Sequence, residues 1–251
     1  MNVLSTLDRV SLNKAAVDAG FDVSEGDSEG WLMYASTSSP VRVALAVIKD
    51  QPVGALTSLN VLGELRVPVL SGSTLPSGAV GGFVAKNFGE LQEILSRAYL
   101  LARTLPDELL HSWQDAVKNV GATERDATVK QRIGQDFFRR GLLALWDGRC
   151  AITGLAVPKL LRASHAKPWK DASDAERLDV YNGLLLAAHL DAAFDAGLIG
   201  VAADGEVMIS TSLDSDTRKM LGLASSARIE RLSARHQRYL KWHRENVFLP
   251  D

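Results

Sequence analysis

The 251-residue sequence holds one cysteine, Cys150, few aromatic residues at 6%, and no long hydrophobic run. A single cysteine excludes an internal disulfide and every zinc site that needs two or more thiolates, and it suits a reducing cytoplasm, the expected location. No apolar stretch, Leu184 to Ala188 with its neighbours included, is long enough to span a bilayer. The start, MNVLSTLDRV, carries Asp8 and no basic n-region, so neither a membrane anchor nor a signal peptide is expected. A basic excess is missing too: 28 Lys and Arg against 30 Asp and Glu give a net charge of -2, which taken whole argues against a nucleic-acid partner. What is present, 46% hydrophobic residues over this length, is enough for one sizeable core or two.

Dividing the charge near residue 120 alters that view. Residues 1–120 carry nine Lys or Arg and thirteen Asp or Glu, net -4, whereas residues 121–251 carry nineteen and seventeen, net +2. Positive charge gathers in two stretches expected to be helical, Lys130, Arg132, Arg139 and Arg140 against Asp136, then Arg228, Arg231, Arg235, Arg238, Lys241 and Arg244 against Glu230. Each reads as a solvated helix face or as a surface for phosphates.

Residues 1–120 are expected to form an α+β domain. A helix is predicted from Asp8 to Ala19, stopped by Gly20, followed by strands at Trp31 to Ser36 and Val41 to Ile48 joined at Ser38-Ser39-Pro40. Leu70 to Gly82, rich in Gly, Ser and Pro, reads as loop, and Leu91 to Leu105 and Glu108 to Val117 as helices. A boundary is placed at Lys118 to Thr123, which opens a second domain over residues 121–251. There Thr123 and Asp126 resemble a helix start, and Val129, Ile133, Phe137, Leu142 and Leu145 mark an amphipathic helix running to Trp146 and ended by Asp147-Gly148.

The informative polar residues of the second domain are His165, Asn182, Asp191 and Asp195. Leu160 to His165, bounded by Pro158 and Pro168, reads as a strand ending in the histidine; Val180 to Leu186 reads as a second strand broken at Asn182-Gly183. Ala187 to Ala196 reads as a helix with Gly197 at its end. Asp191 and Asp195 are four apart on one helix face, a pairing that destabilises an isolated helix by roughly 0.2–0.5 kcal/mol. Asp195 also lies in the last turn, where the macrodipole disfavours an anion. Something cationic should offset both: a divalent metal such as Mg2+ or Mn2+, or a salt bridge from Arg162 or Arg177.

The segments Cys150-Ala151-Ile152-Thr153-Gly154, Ala163-Ser164-His165-Ala166-Lys167-Pro168-Trp169, Tyr181-Asn182-Gly183-Leu184-Leu185-Leu186 and His189-Leu190-Asp191-Ala192-Ala193-Phe194-Asp195-Ala196-Gly197-Leu198, in that order, resemble the HNH endonuclease family over residues 125–210. They look most like its bacterial branch with Ser-His-x-x-Pro-Trp followed by Asn-Gly-Leu. The resemblance implies a C-terminal ββα-metal nuclease domain with flanking helices. In it His165 would be the general base, Asn182 would hold the loop between the strands and orient His165, and Asp191 and Asp195 would bind one divalent ion. That ion is expected to be Mg2+, with Mn2+ or Ni2+ as the other options. Ser164, where the family often has Asp or His, and His189, two residues before the Asp191 that replaces the final histidine, are further ligand candidates. The two Cys pairs of zinc-supported members are missing, so no structural zinc is expected, and Cys150 reads as a small buried hydrophobe.

Beside this core, Gln131, Arg132, Gln135 and Arg139 lie near one helical face and, with Arg235, Arg238 and Lys241, are the expected DNA contacts. Trp169 reads as packing the loop and His111 as a surface or core residue, while for His236 and His243 a phosphate contact stays open. The resulting expectation is a metal-dependent endonuclease acting on DNA, by analogy in restriction of foreign DNA. The alternatives are a non-catalytic DNA-binding or regulatory module on a degenerate HNH scaffold, or RNA as the substrate. A homodimer would ease cutting of both strands.

Overall fold

The computed structural model describes residues 4–70, 75–121, 123–223 and 227–251, without the side chains of Asp107 and Glu124. Part of the expected Leu70 to Gly82 loop, and Ala122 in the expected boundary, therefore lie outside the described residues. The chain falls into two compact units, Met1–Arg103 and Thr104–Asp251. Among the described residues no helix is long and apolar enough to cross a membrane.

The first unit opens with α1 (Thr6–Asp18), started by a capping box in which the Ser5 hydroxyl accepts from the Asp8 amide while the Asp8 carboxylate accepts from the Ser5 amide. Five antiparallel strands follow as a meander: β1 (Val23–Ser28), β2 (Trp31–Ser36), β3 (Ser39–Ile48), β4 (Gln51–Leu56) and, after α2 (Leu59–Leu65), β5 (Gly81–Val84). The long helix α3 (Phe88–Thr104) follows. Trp31, Ala44, Ala46, Val53 and Ala55 form one buried cluster of this sheet.

The predicted strands at Trp31 and Val41 are present, but three others escaped the hydrophobic pattern. β1 is polar and wholly exposed, as a charged edge strand tends to be. β3 and β4 are joined through Lys49 and Asp50, both at positive φ (50° and 62°), the backbone of a two-residue hairpin turn without its usual Asn-Gly signal. The glycines expected to mark loop at Gly81 and Gly82 belong to β5, whose Phe83 ring lies where a Cβ on Gly54 of β4 would stand.

The second unit begins earlier than the expected residue 121. α4 (Pro106–Val117) buries Leu109, Trp113 and Val117, and Trp113 Nε1 donates to the Lys130 carbonyl (3.3 Å) of α5 (Glu124–Leu145). Packing of α4 on α5 therefore moves the division to Arg103/Thr104. α5 starts at the expected Thr123–Asp126 capping box and stops where Asp147 and Gly148 take positive φ and the Gly148 amide returns to the Leu143 carbonyl (2.8 Å). Its buried stripe is Phe138, Leu142 and Leu145; Phe137, expected inside, is only partly covered and carries the Arg140 guanidinium over its ring.

After α5 come β6 (Leu161–His165), α6 (Asp174–Leu178), β7 (Gly183–Ala187) and α7 (Ala188–Asp195). β6 and β7 pair antiparallel from Leu161↔Ala187 to His165↔Gly183. The second strand starts later than expected because Val180–Asn182 winds as a 3-10 turn whose first amides are capped by Asp179. α7 ends as predicted: Gly197 takes φ 72°, its amide bonds the Phe194 carbonyl and the Leu198 amide the Ala193 carbonyl, and a Cβ on Gly197 would strike the Val247 carbonyl. The unit closes with a hairpin of β8 (Ile199–Val201) and β9 (Val207–Ile209), then α8 (Ser215–Met220) and α9 (Gln237–Asn246).

The expected basic helix over residues 228–244 is α-helical only from Gln237, after a 3-10 turn at Ala234–His236, and its charges are used within the protein. Arg228 pairs with Asp204, Arg231 with Asp147, Arg238 with Asp179 and Lys241 with Glu245. Arg235 lies over the Tyr181 ring, and Arg244 donates to the Val201 carbonyl (2.7 Å). The Asp179 side chain is 8% exposed; one oxygen takes the Tyr181 amide and the other takes Arg238 and the Tyr239 hydroxyl. Replacing Arg238 by Ala should therefore cost about 1–3 kcal/mol, because a buried carboxylate loses its cation. Arg132→Ala, at an exposed position, should stay within about 0.5 kcal/mol. Urea unfolding of both variants measures the difference; equal midpoints would contradict the assigned clasp.

Candidate active site

His165 stands at the end of β6, with Ser164 one residue before it and buried (2% exposed). Gly183 lies opposite in the register, and a Cβ there would run into the Phe138 ring. That glycine lets Phe138 slide under the strand and stack on the His165 imidazole, with ring centroids 3.7 Å apart and planes 13° from parallel. Trp169 meets the same imidazole edge-on at 5.8 Å, so it packs the loop as expected and also walls the histidine.

His165 Nε2 lies 2.9 Å from the Arg177 carbonyl. A carbonyl can only accept, so Nε2 carries the proton and Nδ1 keeps its lone pair. Burial, foremost, lowers the imidazole pKa to about 4, aided by the nearby Arg177 guanidinium and opposed by the bond to the carbonyl. The ring is therefore neutral at ordinary pH.

Asn182 is fully buried. Its Oδ1 accepts the Lys167 amide (2.8 Å), and its Nδ2 donates to the Lys167 carbonyl (3.1 Å) and the Glu176 carbonyl (2.9 Å). It thus ties both ends of the loop between the strands, which the Lys167–Glu176 ion pair (2.8 Å) ties again. Asn182 makes none of these bonds to His165 itself. It acts one step away, by fixing Glu176 beside the Arg177 whose carbonyl holds the imidazole.

Asp191 and Asp195 line the same cleft as Ser164 and His165, an opening of about 500 Å³. The Ser164 hydroxyl donates to Asp191 Oδ1, a bond that joins β6 to α7. Asp195 is open to the cleft, yet its pocket wall withdraws it from bulk water enough to push the carboxyl pKa up to about 6; the Asp191 carboxylate adds to that shift. The salt-bridge alternative is not what the structure contains. Arg162 donates to the Lys159 and Leu161 carbonyls, and Arg177 to the Trp169 carbonyl and Asp174. Neither carboxylate has an ion pair among the described residues.

Those two carboxylates suit a hard divalent cation. Mg2+ characteristically takes one or two protein carboxylates and fills its remaining positions with water and substrate phosphate oxygens. Among the described residues no three His, Cys, Asp or Glu side chains are grouped as they would be around an ion, so the donor set is not that of an all-protein cage. His189, a further ligand candidate from the sequence, is turned away: its Nε2 meets the Leu221 carbonyl (3.2 Å) and it does not line the cleft.

The expected DNA-contacting residues fare unequally. Gln135 lines the cleft, and Gln131 and Arg132 are exposed on α5. Arg139 instead clips the chain, its two terminal nitrogens each 2.7 Å from the Leu161 and Pro158 carbonyls. Arg235, Arg238 and Lys241 are engaged with Tyr181, Asp179 and Glu245 as described above. His236 and His243 are buried, which removes the phosphate contact left open for them, and His111 is exposed. Arg162 and Lys170 line the cleft as exposed cations. Lys170 went unremarked in the sequence, where nothing sets it apart from any other lysine. Cys150 is buried as expected, and its Sγ accepts from Thr153 and from the Ala187 amide (3.3 Å) at the start of α7.

A neutral imidazole with a free lone pair, set at a strand end and lining one open cleft with two carboxylates that have no ion pair among the described residues, is equipment suited to hydrolysis. Residues 150–202, which comprise β6, β7 and α7, match the profile of the family described as HNH endonuclease. No curated protein matches the chain.

Burial makes these groups report on pH. His165 and His243 both have pKa values lowered to about 4, against about 6.5 when unfolded, so their stabilising effect is complete above pH 6.5 and is lost as pH falls toward 4. Each adds a slope of at most about 1.4 kcal/mol per pH unit. Asp195, raised to about 6, opposes them, since the folded state binds its proton more readily as pH falls. Urea unfolding in EDTA should thus show stability falling from pH 7 to 4.5, and falling more steeply in Asp195→Asn. A shallower fall in that variant would reverse the assigned signs.

Proposed function

We propose that the second unit is a metal-dependent HNH endonuclease that hydrolyses phosphodiester bonds in DNA, with His165 as general base. The observation that carries this reading is the His165 imidazole, held neutral with Nδ1 unpaired, in one cleft with Asp191 and Asp195. In the reaction, His165 Nδ1 takes a proton from water as its oxygen bonds to phosphorus. The phosphorus–oxygen bond to the leaving group breaks, giving a phosphate monoester and, once that oxygen is protonated, a hydroxyl. Positioned base catalysis of this kind contributes typically about 10²–10⁴-fold. A divalent ion held by Asp191 and Asp195, Mg2+ by the character of those ligands, supplies neutralisation of the charge that develops on the phosphate. Ser164 fixes Asp191 through its hydroxyl, and Asn182 fixes the loop that presents the Arg177 carbonyl. Arg162, Lys170 and Gln135 in the cleft, with Gln131 and Arg132 on α5, would hold the phosphate backbone.

In this reading the first unit recognises or regulates, restriction of foreign DNA is the biological setting, and a homodimer serves double-strand cutting. That no third His, Cys, Asp or Glu joins the pair among the described residues favours a second reading, a DNA-binding or regulatory module that no longer cuts. Plasmid nicking with Mg2+, Mn2+ or Ni2+ separates them. Wild-type protein should nick, and His165→Ala should lose about 10²-fold or more while still binding DNA. Undiminished cleavage by that variant would sink the mechanism, and no cleavage by wild type with any of these metals on DNA or RNA duplexes would favour the binding module.

The phosphate-holding cations carry their own expectation. Lys170→Glu combined with Arg132→Glu should weaken DNA binding at low salt and flatten its salt dependence by about one unit of log-log slope for each cation withdrawn from a phosphate. Unchanged affinity at about 50 mM salt, measured by fluorescence anisotropy, would remove both residues from the interface.

A further inference from the structure

His243 of α9 is built like His165. It is 2% exposed, its Nε2 lies 3.0 Å from the Phe194 carbonyl, and its ring stacks on the Phe194 ring at 3.7 Å with planes 4° apart. The carbonyl must accept, so Nε2 carries the proton and Nδ1 keeps a lone pair. Nδ1 is buried without a hydrogen-bond partner. A phenylalanine or leucine could fill this space without leaving an acceptor unsatisfied, so packing alone does not account for an imidazole here. The donor it offers has a defined target. Phe194 stands in the last turn of α7, directly before Asp195, and its carbonyl, which also accepts the Gly197 amide (3.0 Å) at the helix end, takes the imidazole N–H as a further donor from outside the helix. His243 also lines the cleft with Asp191 and Asp195.

We propose that His243 is a positioning residue for the carboxylate pair: by donating to the Phe194 carbonyl and stacking on the Phe194 ring, it sets the last turn of α7 and so the direction of Asp195. This rests on the reading of Asp191 and Asp195 as the residues that hold the divalent ion. Metal-binding side chains depend on outer partners of this kind, whose loss typically weakens affinity by about 10–100-fold.

The test uses the full chain and Mn2+ alone, followed by calorimetry or by its paramagnetic resonance. His243→Phe keeps a ring and removes the donor; it should weaken Mn2+ binding at least tenfold and raise the Mn2+ concentration for half-maximal nicking, while kcat at saturating Mn2+ stays within threefold. His243→Gln, which restores an N–H near the same place, should recover Mn2+ affinity to within threefold of wild type. Leu240→Ala, a buried change on the same helix, controls for stability and should leave Mn2+ affinity unchanged. If His243→Phe fails to fold, His243→Asn, too short to reach the carbonyl, takes its place. Wild-type Mn2+ affinity in the folded donor-less variant, or equal loss in Leu240→Ala, overturns the proposal. Asp195→Asn separates the two levels: if it too leaves Mn2+ binding intact, the metal-holding pair itself is wrong, whereas weakened binding in Asp195→Asn alone leaves the pair standing and removes only His243.

Discussion

The site depends on one buried amide. Asn182 commits its side chain to the backbone of Lys167 and Glu176, the two places where the chain leaves β6 and returns toward β7. With those points fixed, the Arg177 carbonyl has a fixed place, and with it the tautomer and tilt of His165. A buried amide that satisfies its own groups by holding two distant backbone segments cannot be exchanged for an apolar residue without leaving several polar groups unpaired. Gly183 is tied to the same constraint, since its missing Cβ admits the Phe138 ring under the imidazole.

Charge is divided just as unevenly. The arginines of the C-terminal segment are taken up by internal partners that lock α9 and the loop before it to the rest of the unit. Among the described residues the two carboxylates of α7 have no ion pair, and partial burial, with the Asp191 carboxylate adding to it, raises the pKa of Asp195. A chain that pairs so many charges and leaves these two open has a local excess of negative potential, of the sort a hard cation relieves.

Much of the site was legible because it is local. The strand ending in His165, the Asn182-Gly183 step, the bounds of α7 and its glycine stop all lie within short, strongly patterned segments. What escaped depends on interactions across long sequence separations. Phe137 and Phe138 differ by one residue, so the pattern could not say which faces the core. Arg238 and Asp179, Arg139 and the Leu161 carbonyl, and His243 and Phe194 are each far apart in the chain, and no spacing rule announces them. In the first unit, β1 is too polar, β4 is interrupted by Pro52 and Gly54, and β5 opens on two glycines, so alternation does not reveal them, and the α4–α5 packing that moved the unit boundary is likewise tertiary.

The reach of α9 back to Phe194 and Asp179 also bears on the order of events during synthesis. The hairpin and α7 leave the ribosome before α9 does, and at roughly 5–20 residues per second the stretch between them takes a few seconds to make. During that interval the last turn of α7 lacks the imidazole that caps it and Asp179 lacks its arginine. The cleft therefore comes into register after its sequence motifs are already made, and a nascent chain halted before α9 carries the motifs without the geometry.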